Sequence, residues 1–396
     1  MKNVIFISPN FPTNYWQFCH ELRCDGVNVL GIGDQPYEEL DRRLIDSLTE
    51  YYRVTSLEDY DQVYRAAAFF AFKYGRIDFL ESNNEYWLEQ DARLRTDFNI
   101  PGGFRTEDVP RIRYKSGMKE SYRRAGIPTA RFHMVDDAAH CRAFIGEVGW
   151  PVIVKPDNGV GAAATYRLEN ETELDAFLRE RDGSVPYIME EFIDGQICSY
   201  DAIIDSRGEP IFETGNITCI AIMDIVNNRD NSLYHILKEL PEDTRAFGRA
   251  AVKSFGVVSR FVHFEFFRLN RDQHIGKKGE LVALEVNMRP SGGYTPDMIN
   301  FAHSTNVYKI WADMVAFDRS EMPVGTHRYC ACVGRRDGKP FRFSNEALAE
   351  RYAEEMRMTE RLPAALAEAM GDQIFLAVFD TQEALDGFYR DAVACE

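Results

Sequence analysis

The stretch LEVNMRPSGG at residues 284–293 constrains the fold more than any other. Side chains alternate between the faces of a strand, so Glu285, Asn287 and Arg289 share one face and Val286 and Met288 the other. Pro290, Gly292 and Gly293 then stop the strand. Upstream, RFVHFEFFRL (260–269) is aromatic and β-prone, RDQHIGKKGE (271–280) is turn-like, and LVALEVNM (281–288) returns. A hairpin folded symmetrically about residue 275 sets Glu265 opposite Glu285 and His263 opposite Asn287. Facing carboxylates, with Cβ atoms about 5 Å apart, repel each other. In a half-buried site, at an effective dielectric near ~20, the cost is several kcal/mol. Either one carboxyl stays protonated, or hard divalent cations sit between the two. Glu265 and Glu285 are therefore candidate metal ligands, with the Asn287 amide as a neutral third. Arg289 reaches past them. A solvent-facing pair of acids would leave Phe264, Phe266 and Phe267 hard to place, since they flank Glu265 on both faces.

Two earlier segments carry features suited to an anion. The window 105–124 holds Arg105, Arg111, Arg113, Lys115, Lys119, Arg123 and Arg124 against Glu107, Asp108 and Glu120, inside a chain of net charge −17. Lys115 and Lys119 are four apart and project from one helix face. A plain solvated face is the competing reading. In WPVIVKPDNGVGAAATYRL (150–168), Lys155 ends a β-prone run and Gly159, Gly161 and alanines follow. Small residues let backbone N–H groups approach a phosphate closely, though a simple turn has the same composition. VPYIMEEFIDGQICSYDAIID (185–205) reads as strand, turn at Asp194-Gly195, strand. A strand end leading into a loop leaves the donor and acceptor pair that a purine edge needs.

The first hundred residues alternate strand and helix: NVIFIS (3–8), YWQFCHELRCDG (15–26), VNVLGIGD (27–34), a helix over 57–74, and IDFLES (77–82). That order implies a parallel, Rossmann-like α/β unit. The GxGxxG dinucleotide fingerprint is missing, so a nicotinamide cofactor is not expected. The last part, 321–396, reads as a small α+β lobe, with strands in HRYCACVGRR and QIFLAVFD and helices over 345–357, 360–370 and TQEALDGFYRDA. The negative charge argues against nucleic-acid and membrane partners. Eight scattered cysteines without a metal-type CxxC pair, and a start too short in apolar residues for a signal peptide, suit reduced thiols in the cytoplasm.

The order Lys115, Lys155, Glu190-Glu191, Glu265, Glu285-x-Asn287-x-Arg289 resembles the ATP-grasp superfamily over roughly residues 1–320. The resemblance implies an α/β chain, α+β in its later lobes, with an N-terminal unit at 1–104, nucleotide-binding lobes at 105–320 (a mobile phosphate-loop part at about 127–187) and the C-terminal lobe at 321–396. It implies ATP with Mg2+, or Mn2+ in its place. Lys115, Lys155, Gly159, Gly161, Glu190, Glu191, Phe192, Ile193 and Gln196 would line the nucleotide. Gln196 departs from the Glu that many members use for the ribose. Glu265, Glu285 and Asn287 would hold metal and Arg289 would be catalytic. Ser291, Gly292 and His235 are substrate candidates.

The activity implied is ligation: a small-molecule carboxylate is activated as an acylphosphate, then joined to an amine. The competing readings are a biotin-carboxylase-like or purine-pathway enzyme, and an inactive nucleotide-binding regulator. The C-terminal lobe could complete the site wall or mediate a homodimer; the sequence leaves both open.

Overall fold

The computed structural model describes residues 1–159, 164–220 and 229–395. Gly161 and the stretch 221–228 lie outside the described residues.

The run NVIFI is buried at every position and forms β1 (Asn3–Ile7). With β2 (Asn28–Gly33), β3 (Glu50–Arg53) and β4 (Phe79–Glu81) it makes a parallel sheet in the order β3-β2-β1-β4. Such a sheet needs cover on both faces. On one face Phe6 and Phe18 of the helix Trp16–Cys24 meet Trp311 of the helix Val307–Phe317, with Phe18 and Trp311 ring centres 5.1 Å apart. On the other, Val63, Ala66, Ala67 and Phe70 of the helix Tyr60–Tyr74 close the core.

A second sheet, in the order β5-β8-β6-β7, is antiparallel and built from β5 (Phe132–Met134), β6 (Val152–Pro156), β7 (Tyr166–Leu168) and β8 (Tyr187–Glu191). The helices Ala138–Val148 and Glu171–Glu180 pack Cys141, Phe144, Leu174 and Phe177 onto it.

The third sheet holds nine described strands: β9 (Gly195–Ile204), β10 (Pro210–Thr214), β11 (Asn216–Thr218), β12 (Ser232–Ile236), β13 (Arg260–Leu269), β14 (Leu281–Asn287), β15 (Tyr329–Arg335), β16 (Met356–Arg361) and β17 (Gln373–Phe379). Its order is β14-β13-β9-β11-β12-β15-β17-β16, with β10 on β9. β12 pairs with β15 from Ser232↔Gly334 to Ile236↔Cys330. The C-terminal strands therefore continue the central sheet instead of forming a sheet of their own, as a separate lobe would. The reason lies in their composition: Cys330, Cys332, Ile374 and Leu376 face the large core below, while Ala331, Val333, Phe375 and Ala377 face the helix Gln382–Val393 above. Both faces are covered, as for an interior strand. The expected helix over 345–357 ends at Arg351, and MRMTER runs on as strand β16.

One buried charge cluster ties the parallel sheet to the central one. Glu81, at the end of β4, accepts from Arg95 and from Arg260, the first residue of β13. Arg95 also donates to the Leu80 and Phe104 carbonyls, and the Arg260 guanidinium lies 5.0 Å from the Phe104 ring centre. Among the described residues no helix is long and apolar enough to cross a membrane.

Candidate active site

The β13–β14 hairpin pairs His263 with Asn287, Phe264 with Val286 and Glu265 with Glu285. A bulge falls just after Glu265, between the acids and the turn, so the expected register holds where the acids face each other. Val286 and Met288 enter the core beside Tyr122 and Met118 of the helix Lys115–Arg124, which leaves Glu285 on the opposite, open face. The Tyr122 hydroxyl donates to the Glu285 carbonyl at 2.9 Å and pins the strand. Across β13, β9 adds Ser199 opposite Glu265 and Asp201 opposite His263. The result is a polar strip three strands wide.

The His263 ring bridges two acids of this strip, with Nδ1 2.7 Å from Asp201 and Nε2 2.9 Å from Glu265. Burial would discharge the ring, but Asp201 and Glu265 push its pKa up to about 10, so it donates to both. Glu285 has Lys115 at 3.5 Å. Burial opposes its charge, but Lys115 and Lys155 outweigh that and hold its carboxyl below the usual range.

Lys115 is set by Asp157. The Asp157 carboxylate accepts from the Ser116 N–H (2.8 Å) and hydroxyl (2.7 Å), and its carbonyl accepts from the Lys115 N–H (2.8 Å). The helix thus begins against the loop after β6, and Lys115 Nζ donates to the Gly159 carbonyl at 3.0 Å. One turn on, Lys119 Nζ lies 2.6 Å from Glu190, whose other oxygen is 2.8 Å from Lys155 Nζ. Burial works against the Glu190 charge, yet two ammonium groups hold its pKa down at about 2. Burial, with Lys155 adding to it, pulls Lys119 below the usual lysine range. Two cations share one carboxylate, which leaves net positive charge for a second anion.

These groups line a cavity of about 520 Å³. Lys115, Lys119, Lys155, Glu265 and Glu285 line it. The segment Glu190 to Gln196 lines it too, running from the lysine-bound Glu190 carboxylate to Phe192, which lies under the Arg167 guanidinium at 4.6 Å, and on to Gln196. The Glu191 carboxylate turns away to Arg131 (2.8 Å), so this residue offers its main chain. A second cavity of about 360 Å³ lies beyond Glu265 and is lined by His263, Arg289, Ser291, Gly292 and Thr295 among others. Glu265, Ile197 and Thr218 border both. The Arg289 guanidinium rests on the Pro290 carbonyl at 2.6 Å and reaches the Asn287 amide oxygen at 3.5 Å.

His235 is a correction. It sits in β12 next to Tyr234, and alternation sends Tyr234 into the second cavity and His235 to the far face. There it meets the Tyr389 hydroxyl at 3.2 Å and the Tyr329 ring, and burial lowers its pKa to about 4. It lines neither cavity. Lys119, His263 and Asp201 were missed as site residues, although the sequence carried signals for two of them. Lys119 shares a helix face with Lys115, and His263 shares a strand face with Glu265. Asp201 had none, because its strand pairing is set only in three dimensions.

The donor set at the facing acids suits a hard cation. Glu265, Glu285 and Asn287 offer only oxygen, and the two carboxylates stand on paired strands where a divalent ion would relieve their repulsion.

No protein-family model matches the chain. The L-arginine-specific L-amino acid ligase of Bacillus subtilis is 24% identical over 304 residues, 73% of this chain and 68% of that protein. The crystal structure of an L-amino acid ligase from Bacillus licheniformis superposes with a TM-score of 0.71 at 17% identity, covering 99% of this chain and 97% of that one. The biotin carboxylase domain of the Hydrogenobacter thermophilus 2-oxoglutarate carboxylase, solved with magnesium ADP and bicarbonate, superposes at 0.68 with 16% identity, covering 99% and 89%.

Proposed function

We propose that this chain is a member of the ATP-grasp superfamily and, from that premise, an ATP-dependent ligase joining a small-molecule carboxylate to an amine, with an amino acid as one substrate. The observation that carries the reading is the meeting of two cavities at Glu265, with the cationic and acidic groups on one side and Arg289 on the other. The larger cavity suits ATP: main chain and Phe192 at the base end, lysines and acids at the phosphate end. The smaller suits the acid to be activated, since its volume of about 360 Å³ lies at the low end for ligand sites.

Glu265, Glu285 and Asn287 would hold Mg2+, which when bound neutralises and aligns phosphate oxygens. Lys115 and Lys155 hold the opposite side of the phosphates. His263, fixed by Asp201, keeps the Glu265 carboxylate in place. The substrate carboxylate attacks the γ-phosphorus in line; ADP leaves, and the acyl phosphate remains at the junction of the cavities. Arg289 is free to swing from the Pro290 carbonyl onto the charge that grows there, a role suited to its permanent charge and fixed donors. The amine then adds to the acyl carbon, gives up a proton, and expels phosphate.

The test is ADP and phosphate release with ATP, Mg2+ and amino acids supplied singly and in pairs. The ligase reading expects one ADP per amide formed and no sustained release without an amine. Release that follows bicarbonate instead, or ATP binding with no release for any pool, would end it.

A further inference from the structure

The second cavity has both polar and apolar lining. Arg289, Ser291, Gly292 and Thr295 are among the polar contributors. Ile197, Leu366, Ala369 and Met370 are the aliphatic ones, and three of these four lie on one short helix, Ala364–Met370. That helix sits between β16 and β17, in the extension of the central sheet.

The helix is held in place from both sides. The Arg336 guanidinium, itself buried, donates to the carbonyls of Ala367 and Glu368. The Met370 carbonyl lies so close to β15 that a Cβ at Gly334 would come within 1.6 Å of it. The Met370 methyl lies where a side chain at 293 would begin, 2.5 Å from an added Cβ. Gly293 has φ +64, so glycine meets two demands there: the turn that ends β14, and room for Met370.

An apolar wall held by these contacts selects by size and charge. A charged side chain placed against Leu366 and Met370 would lose its water without gaining a partner, which disfavours its binding. Among the described lining residues the charged groups are His263, Glu265 and Arg289, and none of them lies on this helix. Resting on the ligase reading above, we infer that the helix Ala364–Met370 is the specificity wall of this enzyme. It admits an acid with a short uncharged aliphatic side chain and rejects a long cationic one such as that of arginine. Ala369 sets the depth, because it is the smallest side chain on the wall and is exposed.

The experiment uses the full chain with A369F and M370A. Amino-acid-dependent ADP release is measured for glycine, alanine, valine, leucine, phenylalanine and arginine. A369F should raise the KM for leucine at least tenfold, leave glycine and alanine within twofold, and leave the KM for ATP unchanged. M370A should shift preference the other way, toward leucine and phenylalanine. A parallel arm needs no turnover: binding of acetate, butyrate and hexanoate to the ADP-Mg2+ complex by calorimetry, where A369F should weaken hexanoate selectively. Equal effects on all sizes, or arginine turning over as well as alanine in the parent, would overturn the inference. A parent that releases no ADP with any amino acid would sink the ligase reading, and the acid ladder would still decide the wall.

Discussion

Glu265 and Glu285 stand opposite each other on adjacent antiparallel strands, with His263 on one and Lys115 on the other. The cations do not meet the acids symmetrically, and the face between them opens into the larger cavity. Glu285→Gln should keep the fold, since the amide preserves shape. It should lower turnover by about a thousandfold or more if this carboxylate aligns the phosphates through a metal. Melting temperature and kcat together check this. A variant that folds and retains near-normal kcat would remove the metal assignment.

Arg289 borders only the smaller cavity of the two, and rests on the carbonyl beside it. Arg289→Ala should therefore leave nucleotide affinity within about twofold while kcat drops by about 10²–10³, the usual effect of losing one charge-stabilising donor. Calorimetric ADP binding against steady-state kinetics separates the two. Parallel losses in both would contradict the role.

Glu190 between Lys119 and Lys155 is a buried triad, and removing one member strands the others. Lys119→Met should destabilise the chain by about 3–5 kcal/mol, the range for breaking a buried pair. Adding Glu190→Gln should restore part of that loss, and a double-mutant cycle in urea measures the coupling. Purely additive losses would mean that the two groups act independently.

His235 sets a pH dependence. Burial lowers its folded pKa to about 4, against about 6.5 when unfolded. The unfolded chain then binds more protons between these values. Its contribution is complete above pH 6.5 and is lost as pH falls through 4, by at most about 3 kcal/mol. Denaturation curves for His235→Gln should show a shallower loss of stability over this window than the parent. Identical slopes would show that the ring is not buried as a neutral group.

The hairpin was legible because its signals are local. Aromatic strands, a glycine-containing turn and alternation together fix which residues face one another, and the bulge happens to fall beyond the acids. The lysines were legible in part: Lys155 ends a β-prone run before Pro156 and Lys115 stands in a basic window, whereas Lys119 differs from a solvated helix lysine only by the distant Glu190 that buries it. His235 misled because a polar segment surrounds it, and strand parity, which turns it away from the cavity, depends on where β12 begins. Of the C-terminal strands, β15 and β17 were visible while β16 was read as helix, and their union with the central sheet rests on the pairing of β12 with β15 across about a hundred residues, which composition does not encode.

That union gives a prediction of its own. A chain ending at residue 320 would leave Ser232–Ile236 as a bare edge and expose the core face that Cys330, Cys332, Ile374 and Leu376 cover. It should be recovered as aggregate or without a cooperative unfolding transition. A soluble, cooperatively melting 1–320 fragment would show that the sheet is complete without its last strands.

The Glu81 carboxylate that holds both Arg95 and Arg260 bears on how such a protein can be recombined. Its three charges come from β4, from the helix Leu88–Asp97 and from the first residue of β13, so they are inherited from two halves of the gene. A chimera that takes its first hundred residues from another parent imports a partner for Arg260 only if that parent carries an acid at the matching place. Otherwise the guanidinium is sealed inside without the carboxylate it now pairs with, and the chimera will lose stability at this seam whatever its catalytic residues are.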